Sequence, residues 1–206
     1  MGIGRTADHV AGRLARVLHG FRGPRGSTLA DLAPYLDRSP AELFPVPARP
    51  AEVRVHGSLG ERLLRTTTLS WPSDHRVLCP RYEERHRGEY HRNGAVRARW
   101  VRPEGSARRR CLLYVHGWLE PGSWVEEALM FPRWTRELEV DVLHVALPFH
   151  GPRNPRGALF SGEYFWTADL VRSLEGVRQS IFDLRSALAW LRTEGYRDVG
   201  AAGVSL

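Results

Sequence analysis

Hydrophobic positions recur along this chain with two rhythms, and the rhythm changes near residue 50. Upstream, Val10, Leu14, Val17 and Leu18 share one helical face over residues 5–19, and a Gly/Pro/Arg turn at 20–26 ends the run. Ser27 or Thr28 is placed to cap a second short helix through Leu36. Residues 39–50 then hold Pro40, Pro45, Pro47 and Pro50, which argues against a regular element and marks a linker. Residues 1–50 are therefore expected to form a helical, Pro-rich N-terminal extension that packs onto a main body of residues 51–206.

Beyond residue 50 the runs become short. Segments 61–70 and 96–101 alternate β-branched and apolar residues with polar ones, and predict antiparallel strands joined by a charged loop over 81–93. From Cys111 onward the order is regular. Residues 111–115 form an unbroken apolar run, as in a strand covered on both faces, and His116-Gly117-Trp118 closes it. Helical spacing follows over 123–139 (Val125, Leu129, Trp134, Leu138), then a second apolar strand over 140–147 closed by Pro148-Phe149-His150-Gly151. Leu174, Val177, Ile181, Leu184, Leu188 and Leu191 form the stripe of a long helix over 170–193, with Gly195 placed to end it. A small-residue strand over 198–202 runs into Gly203-Val204-Ser205-Leu206. Strand and helix in alternation predict an α/β fold, a doubly wound and mostly parallel sheet with helices on its faces.

Composition narrows the function classes. The 206 residues are 42% hydrophobic and 10% aromatic, enough for one core. No stretch of about 18 uninterrupted apolar residues exists, so no membrane span is expected. The first residues lack the apolar central run of a secretory signal, which makes a cytoplasmic location the expectation. Cys79 and Cys111 show no metal-ligand spacing, and Cys111 reads as a small buried residue. The net charge is +7 and all 30 basic residues are Arg, spread along the chain with one run at 108–110. A nucleic-acid surface would concentrate them beside stacking aromatics. Even spread, with Ile3 and Ile181 the only isoleucines, fits a coding bias better, and no nucleic-acid partner is expected. Oligomeric state is left open.

The chemistry-bearing pattern sits at the strand ends. A nucleophilic Ser needs its hydroxyl lifted from the carboxyl edge of a parallel sheet, and a tight strand-to-helix turn with small flanking residues does this. Gly203-Val-Ser205-Leu206 supplies the first four positions of Gly-x-Ser-x-Gly directly after a predicted strand. A lone Gly-x-Ser carries little weight; its strength here is the ordered series of His-Gly, Pro-x-His-Gly, long helix and Gly-x-Ser. In that order, residues 111–206 resemble the N-terminal part of an α/β-hydrolase core, and residues 160–165 (Phe-Ser-Gly-Glu-Tyr-Phe) resemble a poorly characterised subgroup of abhydrolase-domain proteins.

The resemblance implies roles. Ser205 is the nucleophile, and the backbone N–H groups of Trp118 and Leu206 form the oxyanion hole. His116, Gly117 and His150 border the pocket. In the family the general base follows the Ser in the chain, so His116 and His150 come too early and are expected to shape their loops through hydrogen bonds to backbone. The acid and the base are expected beyond Leu206, and the chain by itself is expected to be inactive and marginally stable, with an unpaired sheet edge. A metal site from His116, His150 and Glu163 would need a convergence that spacing does not show, so neither metal nor cofactor is expected. Asp169 and Asp183 read as capping and solvated residues, and 149–166 as a candidate flap. The expected function is hydrolysis of a small-molecule acyl substrate (ester, thioester or amide) by the full-length protein. The alternatives are a non-catalytic binding or scaffold module on the same fold, and a polyanion-binding Arg surface.

Overall fold

The computed structural model describes residues 26–50, 52–61, 64–107, 110–120 and 122–205, so the helix expected over 5–19 and Leu206 lie outside the described residues. Six strands, β1 (Arg54–Glu61), β2 (Leu64–Pro72), β3 (Ala95–Pro103), β4 (Arg110–Val115), β5 (Asp141–Ala146) and β6 (Asp198–Gly203), form one sheet in the order β1-β2-β3-β5-β4-β6. The three pairings β1–β2, β2–β3 and β3–β5 are antiparallel, and only β4–β5 and β4–β6 are parallel. This corrects the expectation of a mostly parallel sheet: it is mixed and mostly antiparallel. β1 is the strand that sequence patterning missed. Its residues, Arg-Val-His-Gly-Ser-Leu-Gly-Glu, alternate poorly and include two glycines, and a bulge interrupts its register between Val55 and Gly57.

Among the described residues, four α-helices accompany the sheet: α1 (Pro40–Leu43), α2 (Pro80–Arg87), α3 (Phe131–Glu137) and α4 (Leu170–Thr193). Each of the first two departs from expectation. In the Pro-rich segment, Ser39 caps α1 by accepting from the Glu42 N–H, and Pro40 takes the first helical position, where no N–H is needed. In the charged loop, Pro80 starts α2 in the same way. The short helix after Thr28 is present as a 3₁₀ turn over Leu29–Tyr35. A π-turn, Glu126–Met130, leads directly into α3.

The sheet is packed on both faces. On one, Leu69, Trp71, Val96, Ala98, Trp100, Leu143 and Val145 meet Ala187, Trp190 and Leu191 of α4. The Trp71 and Trp190 rings stack with centroids 6.1 Å apart, and Trp100 meets Trp190 edge-on at 5.2 Å. On the other face, Phe131 packs against Val101, Tyr114 and Val142. Alternate residues of β5 serve the two faces, and all six are buried. The helical stripe located α4 but not its buried side. Ser173, Glu175, Arg178, Gln179 and Asp183 are all buried, because loops and the 26–50 segment cover the helix opposite the stripe.

Candidate functional site

Three consecutive loops leave the carboxyl ends of β4, β5 and β6 side by side: His116–Glu120, Leu147–His150 and Val204–Ser205. Each contains a non-glycine residue with positive φ, Leu119 (71°), Phe149 (63°) and Ser205 (59°). These are three of the five such residues in the described chain. A side chain in this region crowds its own backbone, so the conformation persists only where surrounding contacts enforce it, and such residues gather at functional sites.

Those contacts are visible around Ser205. The Val204 N–H donates to the Val115 carbonyl at 3.2 Å, continuing the β4–β6 ladder one step past the strand. Gly117 then comes so close to the turn that a Cβ there would stand 2.8 Å from the Val204 carbonyl oxygen and 3.3 Å from Ser205 Cβ. Only glycine allows this approach. The Ser205 side chain is exposed. The His-Gly and Gly-x-Ser segments, 86 residues apart at Gly117 and Gly203, therefore meet.

His116 is buried and both of its ring nitrogens are engaged. Leu147 N–H donates to Nε2 at 2.9 Å, which leaves the proton on Nδ1 for the Gly117 carbonyl at 2.8 Å. One ring thus ties the loop after β4 to the loop after β5. His150 is held similarly, with Nδ1 donating to the Pro148 carbonyl at 2.8 Å. Its ring centroid lies 4.7 Å from that of His116. The third ring of this stack is His144 on β5, 5.4 Å from His116 and also against Tyr114 and Phe131. Burial pushes all three imidazoles toward the neutral form: His116 falls below its usual value, and His144 and His150 fall to about 3, the charge of His116 adding to the effect for both. Sequence reasoning missed His144, since a His inside an apolar strand gives no signal of its own. Among the described residues no group of three or more His, Cys, Asp or Glu is arranged to hold a metal ion.

Trp118 follows Gly117, and its indole N–H donates to the Gly162 carbonyl at 2.8 Å. Gly162 has φ +81°, and a Cβ there would overlap His150 Nε2 and come within 2.8 Å of Trp118 Cδ1. The 149–166 stretch is consequently part of the packed body. Phe149, Arg153, Tyr164 and Phe165 are buried, Phe149 N–H donates to Asn93 Oδ1 at 2.9 Å, and Gly162 N–H to the Phe149 carbonyl at 2.8 Å. Glu163 also closes on this loop, accepting from the Leu159 N–H at 2.5 Å.

Two carboxyl groups stand at the outer end of the β4 loop. Burial, and then the hydrogen-bonded Glu126 carboxylate, push the Glu120 carboxyl up to about 7. Glu126 begins the π-turn and is itself buried. Asp169 and Asp183 are also placed. Asp169 caps α4 by accepting from the Arg172 N–H at 3.1 Å. Asp183 is not solvated: it forms a fully buried ion pair with Arg153 at 2.8 Å.

Comparison with known proteins agrees with this fold and stops there. No family model matches the chain. Two uncharacterized proteins of Mycobacterium tuberculosis, from different strains, are each 34% identical over 104 residues, 48% of this chain and 24% of their own length. The matched segment spans about a quarter of these curated relatives. Among solved structures, a Bacteroides fragilis protein described provisionally as an acetyl xylan esterase superposes with a TM-score of 0.54 at 10% identity, covering 80% of this chain and 44% of that one. A cold-adapted esterase from an Arctic intertidal metagenomic library superposes with a TM-score of 0.49 at 18% identity over 73% of this chain and 54% of its own. The chain is thus an α/β protein with one mixed sheet whose fold is similar to that of the Bacteroides fragilis protein. Among the described residues no helix is long and apolar enough to cross a membrane.

Proposed function

We propose that the chain carries the nucleophile and one wall of the active site of an α/β-hydrolase acting on a small acyl substrate. The observation that supports this is the Ser205 turn: a non-glycine residue at φ 59° after β6, pressed against Gly117. Such a turn lifts the hydroxyl off the sheet edge. In this reading Ser205 attacks the substrate carbonyl, its hydroxyl proton passing to a general base. The backbone N–H of Trp118, with that of Leu206, then holds the oxyanion that forms. His116 is not that base, because the Leu147 N–H already occupies its one lone pair. It acts instead as a strut that fixes Gly117 and hence the Trp118 N–H. The base and its acid are assigned to a longer protein, downstream of Leu206, as in the resemblance that first pointed to Ser205.

Fluorophosphonate labelling of the full-length protein tests the proposal. Labelling is expected at Ser205, abolished by Ser205→Ala, and slowed by about tenfold or more in Gly117→Ala, whose Cβ would displace the turn. Equal labelling of wild type and Ser205→Ala would sink it.

A further inference from the structure

Beneath the loop after β4 lies a cavity of about 250 Å³, open on one side and walled by the sheet. Ser205 does not line it. Arg97 and Arg99 of β3 enter from the sheet, with Thr68 of β2, while Ser123 and Gly151 close the far side. The two guanidinium groups are in different situations. Arg99 is neutralised: its Nε and Nη2 donate to Glu127 at 2.8 and 2.6 Å, and its Nη1 to the Thr68 hydroxyl at 2.6 Å. Arg97, half-buried, enters none of the ion pairs among the described residues. Its side-chain hydrogen bond there is a long one, Nη1 to His56 Nε2 at 3.4 Å, and that acceptor also faces the Ser70 hydroxyl at 2.6 Å.

The surroundings sharpen the imbalance. Arg153, fully buried nearby, feels the charge of Arg97 as a repulsion, and its own charge is already matched by Asp183. Glu120 also lines the cavity, but burial and Glu126 hold its carboxyl protonated up to about pH 7, so in mildly acidic solution it does not neutralise Arg97. A half-buried guanidinium without a carboxylate is an unmatched planar fork of donors. Thr68 accepts from Arg99, which leaves its hydroxyl proton available to a ligand. The cavity lies just below the range of about 300–1,000 Å³ usual for small-molecule pockets. Ala146 and Pro152 give it an apolar floor.

We infer that this cavity binds the carboxylate of a small organic acid, with Arg97 as its counter-ion and the alkyl part on the Ala146–Pro152 floor. The cavity shares His116 and His150 with the loops around Ser205, but Ser205 does not line it, and the inference does not require Ser205 to be a nucleophile.

Titration calorimetry of the chain with sodium butyrate, below the pH at which Glu120 ionises, tests this. Wild type and Ser205→Ala are expected to show the same saturable binding. Arg97→Met is expected to weaken it about tenfold or more, and Arg97→Lys to retain part of it, since charge survives without the fork. Arg102→Met is the control: that guanidinium lies over the Trp100 ring at 3.7 Å, outside the cavity, and its loss leaves binding unchanged. If Arg97→Met fails to fold, the Arg97 side-chain N–H signal of wild type, which should move on adding butyrate, carries the test. No saturable butyrate binding by wild type overturns the inference. So do undiminished binding in Arg97→Met with an unmoved Arg97 signal, and binding of inorganic phosphate without butyrate.

Discussion

Beneath the first fourteen residues of α4 and at the carboxyl edge of the sheet the protein buries polar side chains, but it treats them in opposite ways. Under α4 every major charge meets a partner. Glu175 takes hydrogen bonds from Tyr35 at 2.5 Å, His75 at 2.8 Å, Arg178 at 2.6 Å and the Leu78 N–H at 2.9 Å. Burial alone would raise its carboxyl; these bonds more than offset that and hold it below its usual value. Arg153 donates to Asp183 at 2.8 Å and to the Ala146 and Asn93 carbonyls at 2.9 and 2.8 Å. At the carboxyl edge the solution is neutralisation. His144 and His150 are held uncharged by burial, and among the described residues His144 has no hydrogen-bond partner at either ring nitrogen.

The difference follows from what each cluster covers. Loops have backbone N–H and C=O groups that a sheet or helix would have satisfied, and burying them demands partners. The first half of α4 lies under loops, so its polar side chains serve as those partners: Arg178 donates to the Leu43 carbonyl, and Gln179 to that of Asn93. Its last two turns lie on β-strands whose backbone is already paired, and there Ala187, Trp190 and Leu191 suffice. At the carboxyl edge the rings instead position loops, which asks for shape and one or two directed bonds rather than charge.

Removing a charge from the paired cluster is therefore expected to have the largest effect. Arg153→Met leaves the buried Asp183 with the Ser73 hydroxyl but without its counter-charge, and should cost about 3–5 kcal/mol in urea denaturation. Arg153→Met combined with Asp183→Leu should recover a good part of that loss, since the orphaned charge is gone. A loss well under 1 kcal/mol for the single variant would mean that the pair is not the tie it looks to be.

The neutral cluster should show itself in pH. The unfolded chain protonates its histidines below about 6.5, whereas folded His144 and His150 resist until about 3, so stability is present above 6.5 and is lost as pH falls. Each ring contributes roughly 3 kcal/mol of loss by about pH 4.5. His144→Phe should shrink the acid-side fall in melting temperature relative to wild type. Parallel curves for the two proteins would contradict a neutral buried His144.

Glu120 should act in the other direction and most weakly. Its folded-state value of about 7 lies above the unfolded one, so the stability it contributes is present at low pH and is lost as pH rises toward and through 7. The side chain is only partly buried, and solvent screening limits the effect to the order of 1 kcal/mol. Glu120→Gln should gain on wild type between the acidic and the alkaline side of that range, read as a melting-temperature difference that grows with pH. A constant difference would show that Glu120 ionises as an ordinary surface carboxyl.

The sequence by itself determined the alternation of strands and helices from Cys111 onward, because apolar runs and 3.6-residue stripes mark burial directly. It also marked the Gly-x-Ser segment and the His-Gly loop, whose chemistry depends on local residue order. Tertiary structure alone decided the rest. The sheet is mostly antiparallel because β1, which carries no clear alternation, pairs with β2 and extends the antiparallel half. The polar face of α4 is buried because loops distant in sequence cover it. His144 joins His116 and His150 only through strand pairing, and Glu127 pairs with Arg99 rather than with Arg97 two residues before it. These are contacts between residues tens of positions apart, and no local period encodes them. The Ser205 turn lies between the two: its motif was legible, while the reason it must be tight, Gly117 against Val204, is a contact that only folding makes.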